Sequence, residues 1–97
     1  MVVAVCRLEV SIPGAFSLKD KRQVVQSMVS RVRRRFPVTI AEIEDQELWN
    51  VAVLGMAVVS NNGGHAREVL EQSVRFLEGS RLDAEIGSVE FELLQAF

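Results

Sequence analysis

The 97-residue chain has one cysteine, Cys6, one histidine, His65, and no tyrosine. A single cysteine excludes a disulfide within the chain, and it excludes a CxxC metal or redox pair. No cysteine or second metal ligand accompanies the histidine at a suitable spacing, so we expect His65 to be a surface residue. These residue types indicate no catalytic constellation, no metal and no cofactor, and a reducing, cytoplasmic setting fits them best.

The sequence also lacks a long apolar run. Its first ten residues, MVVAVCRLEV, have no basic leader and are interrupted by Arg7 and Glu9, which predicts neither a signal peptide nor a membrane span. Apolar residues nevertheless make up 48% of the chain, enough for one core without disulfides. We therefore expect a single domain over residues 1–97 and no contact with a membrane.

Alternating and helical periodicities predict six elements in the order βαββαβ. The first helix begins with Ser17 as its cap and Asp20 as the capping-box partner, and it ends near Phe36, before Pro37. The breaker NNGG precedes the second helix, which Gly79 stops. Strands are predicted at 2–12, 38–44, 49–60 and 88–94.

This order predicts a ferredoxin-like α+β two-layer sandwich with a four-stranded antiparallel sheet in the order 4-1-3-2. From the right-handed crossovers we also expect strands 1 and 3 to be adjacent and parallel at the centre. Their C-terminal ends would then lie at one edge of the sheet. The stretches SLKDKR (17–22) and SNNGGH (60–65) would bring two helix N-termini together at that edge.

Two converging helix N-termini suit a small anion or a phosphate, because their unsatisfied N–H groups point outward. An anion would also compensate the cations in the first turn of helix 1, which the helix dipole disfavours. The alternative is that the capping residues only close the helices while the basic side chains extend into water. The candidate anion ligands are Lys19, Lys21, Arg22, Asn61, Asn62 and Gly63.

Basic residues are concentrated in the first helix. Residues 17–36 carry a net charge of +6, and the rest of the chain carries −8, although the whole chain is only −2. A basic helix of this length can follow the phosphates of RNA, whereas cations at its C-terminal end can also simply favour the dipole. The candidates at that end are Arg31, Arg33, Arg34 and Arg35.

One face of the sheet in such a sandwich has no helix, and the sequence makes that face apolar. A large apolar patch is rarely left exposed to water, which favours a homodimer; the alternative is that the long side chain of Arg7 and neighbouring acids cover it. The candidates for self-association are Val3, Val5, Trp49, Val51 and Val53.

Two binding and catalytic patterns of this fold are missing. Strand 3 has no RNP-type motif for RNA recognition, and the loop after strand 1 lacks the Gly-rich, Arg-containing cradle of acylphosphatases. The acidic hairpin end, Glu42, Glu44, Asp45 and Glu47, lacks the pattern of an EF-hand and is typical of a solvated edge.

Two segments resemble the YlxP-like family of small bacterial proteins, which is classed as a domain of unknown function. They are SLKDKR at 17–22 and DQELWNVAVLGMAVVSN at 45–61, and the resemblance covers essentially the whole chain. It implies a ferredoxin-like fold and genes located among those for translation initiation and ribosome maturation, and it implies no activity. Asn62 stands where the family often has Asp. The matching positions are Ser17, Lys19, Lys21, Arg22, Asp45, Trp49 and Asn61.

Two hypotheses of different classes follow. The leading one is a non-catalytic protein that binds RNA or a ribosomal particle through the basic first helix. The alternative is a homodimeric regulatory module that holds a small anion between its helix N-termini. Fold analogy does not decide between them.

Overall fold

Four strands and two helices follow one another in the predicted order in the computed structural model, which describes residues 1–80 and 83–97. The strand order in the sheet is β2-β3-β1-β4, which is the predicted order read from the other edge. The ferredoxin-like fold is therefore confirmed. The elements are β1 (Val2–Ser11), α1 (Leu18–Arg35), β2 (Thr39–Glu44), β3 (Val51–Ser60), α2 (Gly63–Gly79) and β4 (Glu85–Gln95).

The core lies between the sheet and the two helices. The even-numbered residues of β1 from Ala4 to Val10 are buried in it, and α1 and α2 cover them with apolar stripes that include Met28 and Leu70. Each such side chain stabilises the fold by about 1.5–3 kcal/mol when fully buried. Within the described ranges, neither helix has the length and apolar character needed to cross a bilayer.

All neighbouring strands run antiparallel, so the expectation that strands 1 and 3 are parallel is wrong. β1 pairs with β3 from Val2 opposite Ser60 to Ser11 opposite Val51. The physical reason is the connectivity: α1 returns the chain so that β2 runs in the direction of β1, and the hairpin then reverses β3. The helices therefore begin at opposite ends of the sheet, about 30 Å apart for strands of this length.

Candidate functional site

Two side chains close the first turn of α1. The hydroxyl Oγ of Ser17 accepts a hydrogen bond from the N–H of Asp20 at 3.1 Å, and Oδ2 of Asp20 accepts one from the N–H of Phe16 at 3.0 Å. The predicted cap and helix start are confirmed. The carboxylate bonds to Phe16 instead of to the N–H of the cap residue, and this fixes the backbone that carries the Phe16 ring.

Lys21 is 1% exposed, and its ammonium group binds the loop between β2 and β3. Its Nζ donates to the carbonyl oxygens of Asp45, at 2.7 Å, and of Leu48. The same Nζ lies 2.8 Å from Oε2 of Glu42 on β2, an ion pair without the geometry of a directed hydrogen bond. Lys21 is therefore not available to a ligand, and its assignment to an anion site is corrected: it joins α1 to the loop.

The loop at 45–50 has an irregular path that depends on this lysine. Asp45 has a positive φ of 58°, and the N–H of Leu48 donates to its carbonyl oxygen at 3.0 Å, which forms a tight turn. The N–H of Ile12 donates to the carbonyl oxygen of Asn50 at 2.8 Å. The loop is thus held from two sides, and the segments SLKDKR and DQELW, which carry the family resemblance, form one structural unit.

This unit presents two aromatic rings to solvent. Phe16 is 75% exposed and Trp49 is 45% exposed, and their rings meet edge to face with centroids 6.4 Å apart and planes at 68°. Trp49 lies in the loop before β3, so its expected place on the helix-free face of the sheet is corrected. Phe16 was not among the predicted site residues.

The remaining basic residues of α1 stay at the surface, and we call them the basic rim. Lys19 and Arg22 are exposed near its beginning, and Arg31 is half-buried. Within residues 1–80 and 83–97, the ion pairs involve only the cations of Arg7, Lys21 and Arg67. In that part of the chain, therefore, no carboxylate lies within 4.0 Å of a rim cation. The rim consists of Lys19, Arg22, Arg31, Arg33, Arg34 and Arg35.

The three arginines at the C-terminal end of α1 also contact the protein. Nη2 of Arg33 donates to the carbonyl oxygen of Ile40 on the edge strand β2 at 2.9 Å, and Nε of Arg34 donates to that of Ser30 at 3.3 Å. The guanidinium of Arg35 lies 4.9 Å from the ring centroid of Phe76 on α2. Each guanidinium has five N–H donors, so these contacts orient the side chains and leave donors facing outward.

The N-terminus of α2 lies at the other end of the sheet. Asn62 caps it, with Oδ1 accepting from the N–H of His65 at 3.0 Å, and His65 is exposed, as expected. Asn61, Asn62 and Gly63 are therefore separated from Lys19 and Arg22 by the length of β1, and the predicted anion site between two helix N-termini does not form.

The helix-free face of the sheet divides into an apolar half and a charged half. Val3 pairs across the strands with Val59 and Leu94, and Val59 is 66% exposed. Towards the other end of this face, a shallow depression of about 670 Å³ is lined by Val5 on β1 and by residues of the neighbouring strands. Val51 is half-buried, and Val53 is buried, so Val53 is not available for self-association.

Arg7 lies at the centre of the charged half. Its guanidinium donates to Glu9 at 2.9 Å and to Glu44, and Glu90 lies 3.8 Å away. The hydrogen bonds from Arg7 to Glu44 and to Glu9 raise the pKa of its guanidinium above the usual value. The acids outnumber the cation, so this half of the face is net negative.

One signal in the sequence could have identified Lys21 as buried. It follows Leu18 by three residues and precedes Val25 by four, which is the spacing of the apolar stripe of α1. A lysine in such a stripe requires partners for its charge, and Glu42 and the loop carbonyls provide them. The pairing of Phe16 with Trp49 had no comparable signal, since it depends on two loops that meet only in the folded chain.

In the two described ranges, no group of three or more His, Cys, Asp or Glu side chains is arranged to hold a metal ion. The family model described as "Protein of unknown function (DUF503)" matches residues 3–91. The chain is 31% identical to "Uncharacterized protein YlxP" of Bacillus subtilis (strain 168) over 77 residues, which cover 79% of this chain and 84% of the relative. Among solved structures, "De novo designed protein Foldit4" matches all of both chains with a TM-score of 0.54 at 13% identity, a likeness of fold alone.

Proposed function

The chain belongs to the DUF503 family of proteins of unknown function, and we propose that it is a non-catalytic protein that binds RNA through the basic rim of α1. The observation that carries the proposal is the set of six cations on one helix without an acidic partner in the described ranges, in a chain that is net negative. Like charges at neighbouring helical positions destabilise a helix. A phosphate-bearing partner would offset that cost.

The dimensions of the rim support a polymer as the ligand. From Lys19 to Arg34 the helix axis rises about 22 Å, which exceeds the reach of a single small anion. The cations also occupy several sides of the helix surface, with Arg35 held against Phe76 towards α2 and Arg33 held against β2. These contacts preorder the arginine side chains and reduce the entropy that binding would cost.

The charge of the other faces limits where such a ligand would bind. The chain outside residues 17–36 carries −8, and Glu90 and Glu92 lie on the helix-free face of the sheet. A polyanion is repelled there and attracted to α1. We therefore expect RNA to contact α1 and not the helix-free face of the sheet.

A binding measurement with charge variants tests the proposal. Fluorescence anisotropy of a labelled RNA is measured with the wild type, with Lys19→Gln/Arg22→Gln, and with Arg67→Gln/Arg75→Gln on α2 as the charge-matched control. Charge-assisted hydrogen bonds contribute about 1.5–3 kcal/mol each, so the α1 variant should bind at least about tenfold more weakly while the control changes little. An equal effect in both variants, or no binding at low salt, would contradict the proposal.

The apolar half of the sheet suggests a second function, and we also propose that two copies associate through it. The exposed end of this half is formed by Val3, Val59 and Leu94. If these ends of two copies packed against each other, the acidic halves of the two sheets would stay apart. This face is on the opposite side of the sheet from α1, so a dimer would leave both basic rims outward. The proposed setting is the cytoplasm, in agreement with the free thiol of Cys6.

A further inference from the structure

Phe16 and Trp49 are exposed at the end of α1 where the basic rim begins. Lys19 follows Phe16 by three residues, and Arg22 follows Lys21, whose ammonium holds the loop of Trp49. In an edge-to-face pair, the edge of one ring covers at most one face of the other. Flat aromatic surface therefore remains open at the end of α1 that carries Lys19 and Arg22.

We propose that the Phe16–Trp49 pair stacks an unpaired nucleobase of single-stranded RNA while Lys19 and Arg22 bind the adjoining phosphates. This inference rests on the proposed binding of RNA by α1 and names the form of RNA that is bound. Base stacking on aromatic side chains needs an unstacked base. A duplex offers such a base only at its ends.

The support of the pair is unusually firm for two exposed loop residues. Two hydrogen bonds hold the loop at 45–50. The ammonium group of Lys21 donates to the carbonyl oxygen of Asp45 at 2.7 Å, and the N–H of Ile12 donates to the carbonyl oxygen of Asn50 at 2.8 Å. Phe16 is held through its N–H by Asp20. A backbone fixed before the ligand arrives loses less conformational entropy on binding.

Nearby acids determine how the strand would lie. Asp45 and Glu47 are exposed in the same loop as Trp49, and they disfavour a phosphate directly over the loop. Asp20, by contrast, is engaged with the N–H of Phe16. The base therefore lies on the rings, and the backbone follows α1 from Lys19 towards its C-terminal end.

The fluorescence of Trp49 gives a direct test, because it is the only tryptophan of the chain. The wild type is titrated with a 12-nucleotide RNA without self-complementarity, and separately with the same strand annealed to its complement. The single strand should quench the emission of Trp49 and bind more tightly than the duplex. Phe16→Ala should weaken binding of the single strand by about fivefold or more, the low end for loss of one stacked base, and leave duplex binding unchanged.

Phe97→Ala is the matched control, because Phe97 is also exposed and follows β4 next to the start of β1, at the far end of the sheet. It should bind both RNAs like the wild type.

If Phe16→Ala does not fold, quenching of Trp49 in the wild type decides the question. Phe16→Leu then replaces Phe16→Ala in the binding measurement, because leucine retains the apolar bulk without the ring. Equal, salt-sensitive binding of both RNAs without quenching would overturn the stacking inference and leave RNA binding by α1 intact. Binding of neither RNA would overturn both, and an acidic protein partner would then be the occupant to test.

Discussion

Lys21 is stabilised in the interior because oxygen atoms surround its ammonium group. Carbonyl oxygens of the loop at 45–50 and a carboxylate oxygen of Glu42 replace the water that burial removes. Removing the cation would leave the carboxylate of Glu42 without its counter-charge and the carbonyl oxygen of Leu48 without its donor, which costs more than the interaction itself gains.

Lys21→Met should therefore destabilise the fold by about 2–4 kcal/mol, somewhat below the ~3–5 kcal/mol of a fully buried pair, because Glu42 keeps part of its exposure. Urea unfolding at neutral pH measures the change, and the emission of Trp49 should shift to the red as the loop detaches. Lys19→Met, in the same turn but exposed, should stay within about 0.5 kcal/mol of the wild type. Equal midpoints for the two variants would contradict the role assigned to Lys21.

Cys6 is the other buried group with a clear consequence. Burial raises the pKa of its thiol from 9.0 to about 11, so the native state favours the neutral thiol. Its stabilising contribution is complete below pH 9 and is lost as the pH rises through 11, because the unfolded chain releases the proton first.

The free energy of unfolding of the wild type, relative to Cys6→Ala, should therefore be constant up to about pH 8 and fall by on the order of 2 kcal/mol by pH 11. Urea titrations of both proteins at several pH values measure this difference. A difference that does not change with pH would mean that the thiol titrates alike in the folded and unfolded chains.

At the scale of elements, an irregularity in β2 explains how two acids serve opposite faces of the sheet. Glu42 pairs with Leu54 and Glu44 with Val53, so the register shifts between them. In a regular strand, residues two apart lie on one face; the shift turns Glu42 towards Lys21 and Glu44 towards Arg7. One short strand thereby provides an acidic partner for a cation on each face of the sheet.

Helix α1 depends on its cap for its starting point. Ser17→Ala removes the hydroxyl that accepts from the N–H of Asp20 and should cost about 1 kcal/mol of stability. Chemical denaturation measures it, with Ser30→Ala, in the exposed middle of the helix, as the control. Equal midpoints would indicate that the helix begins elsewhere in solution.

Local signals in the sequence were sufficient to predict the elements, because caps, breakers and periodicity act over a few residues. Ser17 and Asp20 mark the start of α1 as the structure has it, whereas α2 includes Gly79 and is capped by Ser80, since Gly79 does not adopt the positive φ of a C′ glycine. The relative direction of β1 and β3 depends on the whole path of the chain, and it was predicted wrongly. The register shift in β2 and the contact of Phe16 with Trp49 leave no periodic signal, so the site built on them could not be predicted.

At the scale of the whole molecule, the two layers differ in charge and in polarity. The helix layer presents the basic rim, whereas the other side of the sheet presents the acids around Arg7 and an apolar end at Val59. A layer arrangement of this kind would allow the two proposed partners to be bound at once, RNA on one side and a second copy on the other.

The proposed dimer gives a prediction at this scale. The protein should sediment as a dimer at micromolar concentration, and Val59→Lys should sediment as a monomer, because two added cations would meet in an apolar contact. Gln72→Lys, at an exposed position of α2 on the other side of the sheet, is the control and should remain a dimer. A wild type that stays monomeric across the micromolar range would contradict self-association.

The salt dependence of RNA affinity tests the central claim, that the basic rim of α1 binds phosphates. The logarithm of the affinity for a single-stranded RNA is plotted against the logarithm of salt concentration for the wild type, for Lys19→Gln/Arg22→Gln and for Arg67→Gln/Arg75→Gln. Each phosphate contact with a single strand contributes about 0.7 to the slope. The slope for the α1 variant should therefore be smaller than that for the wild type by about 1.4, from two lost contacts, while the control keeps the wild-type slope. Identical slopes for the wild type and the α1 variant would contradict the account.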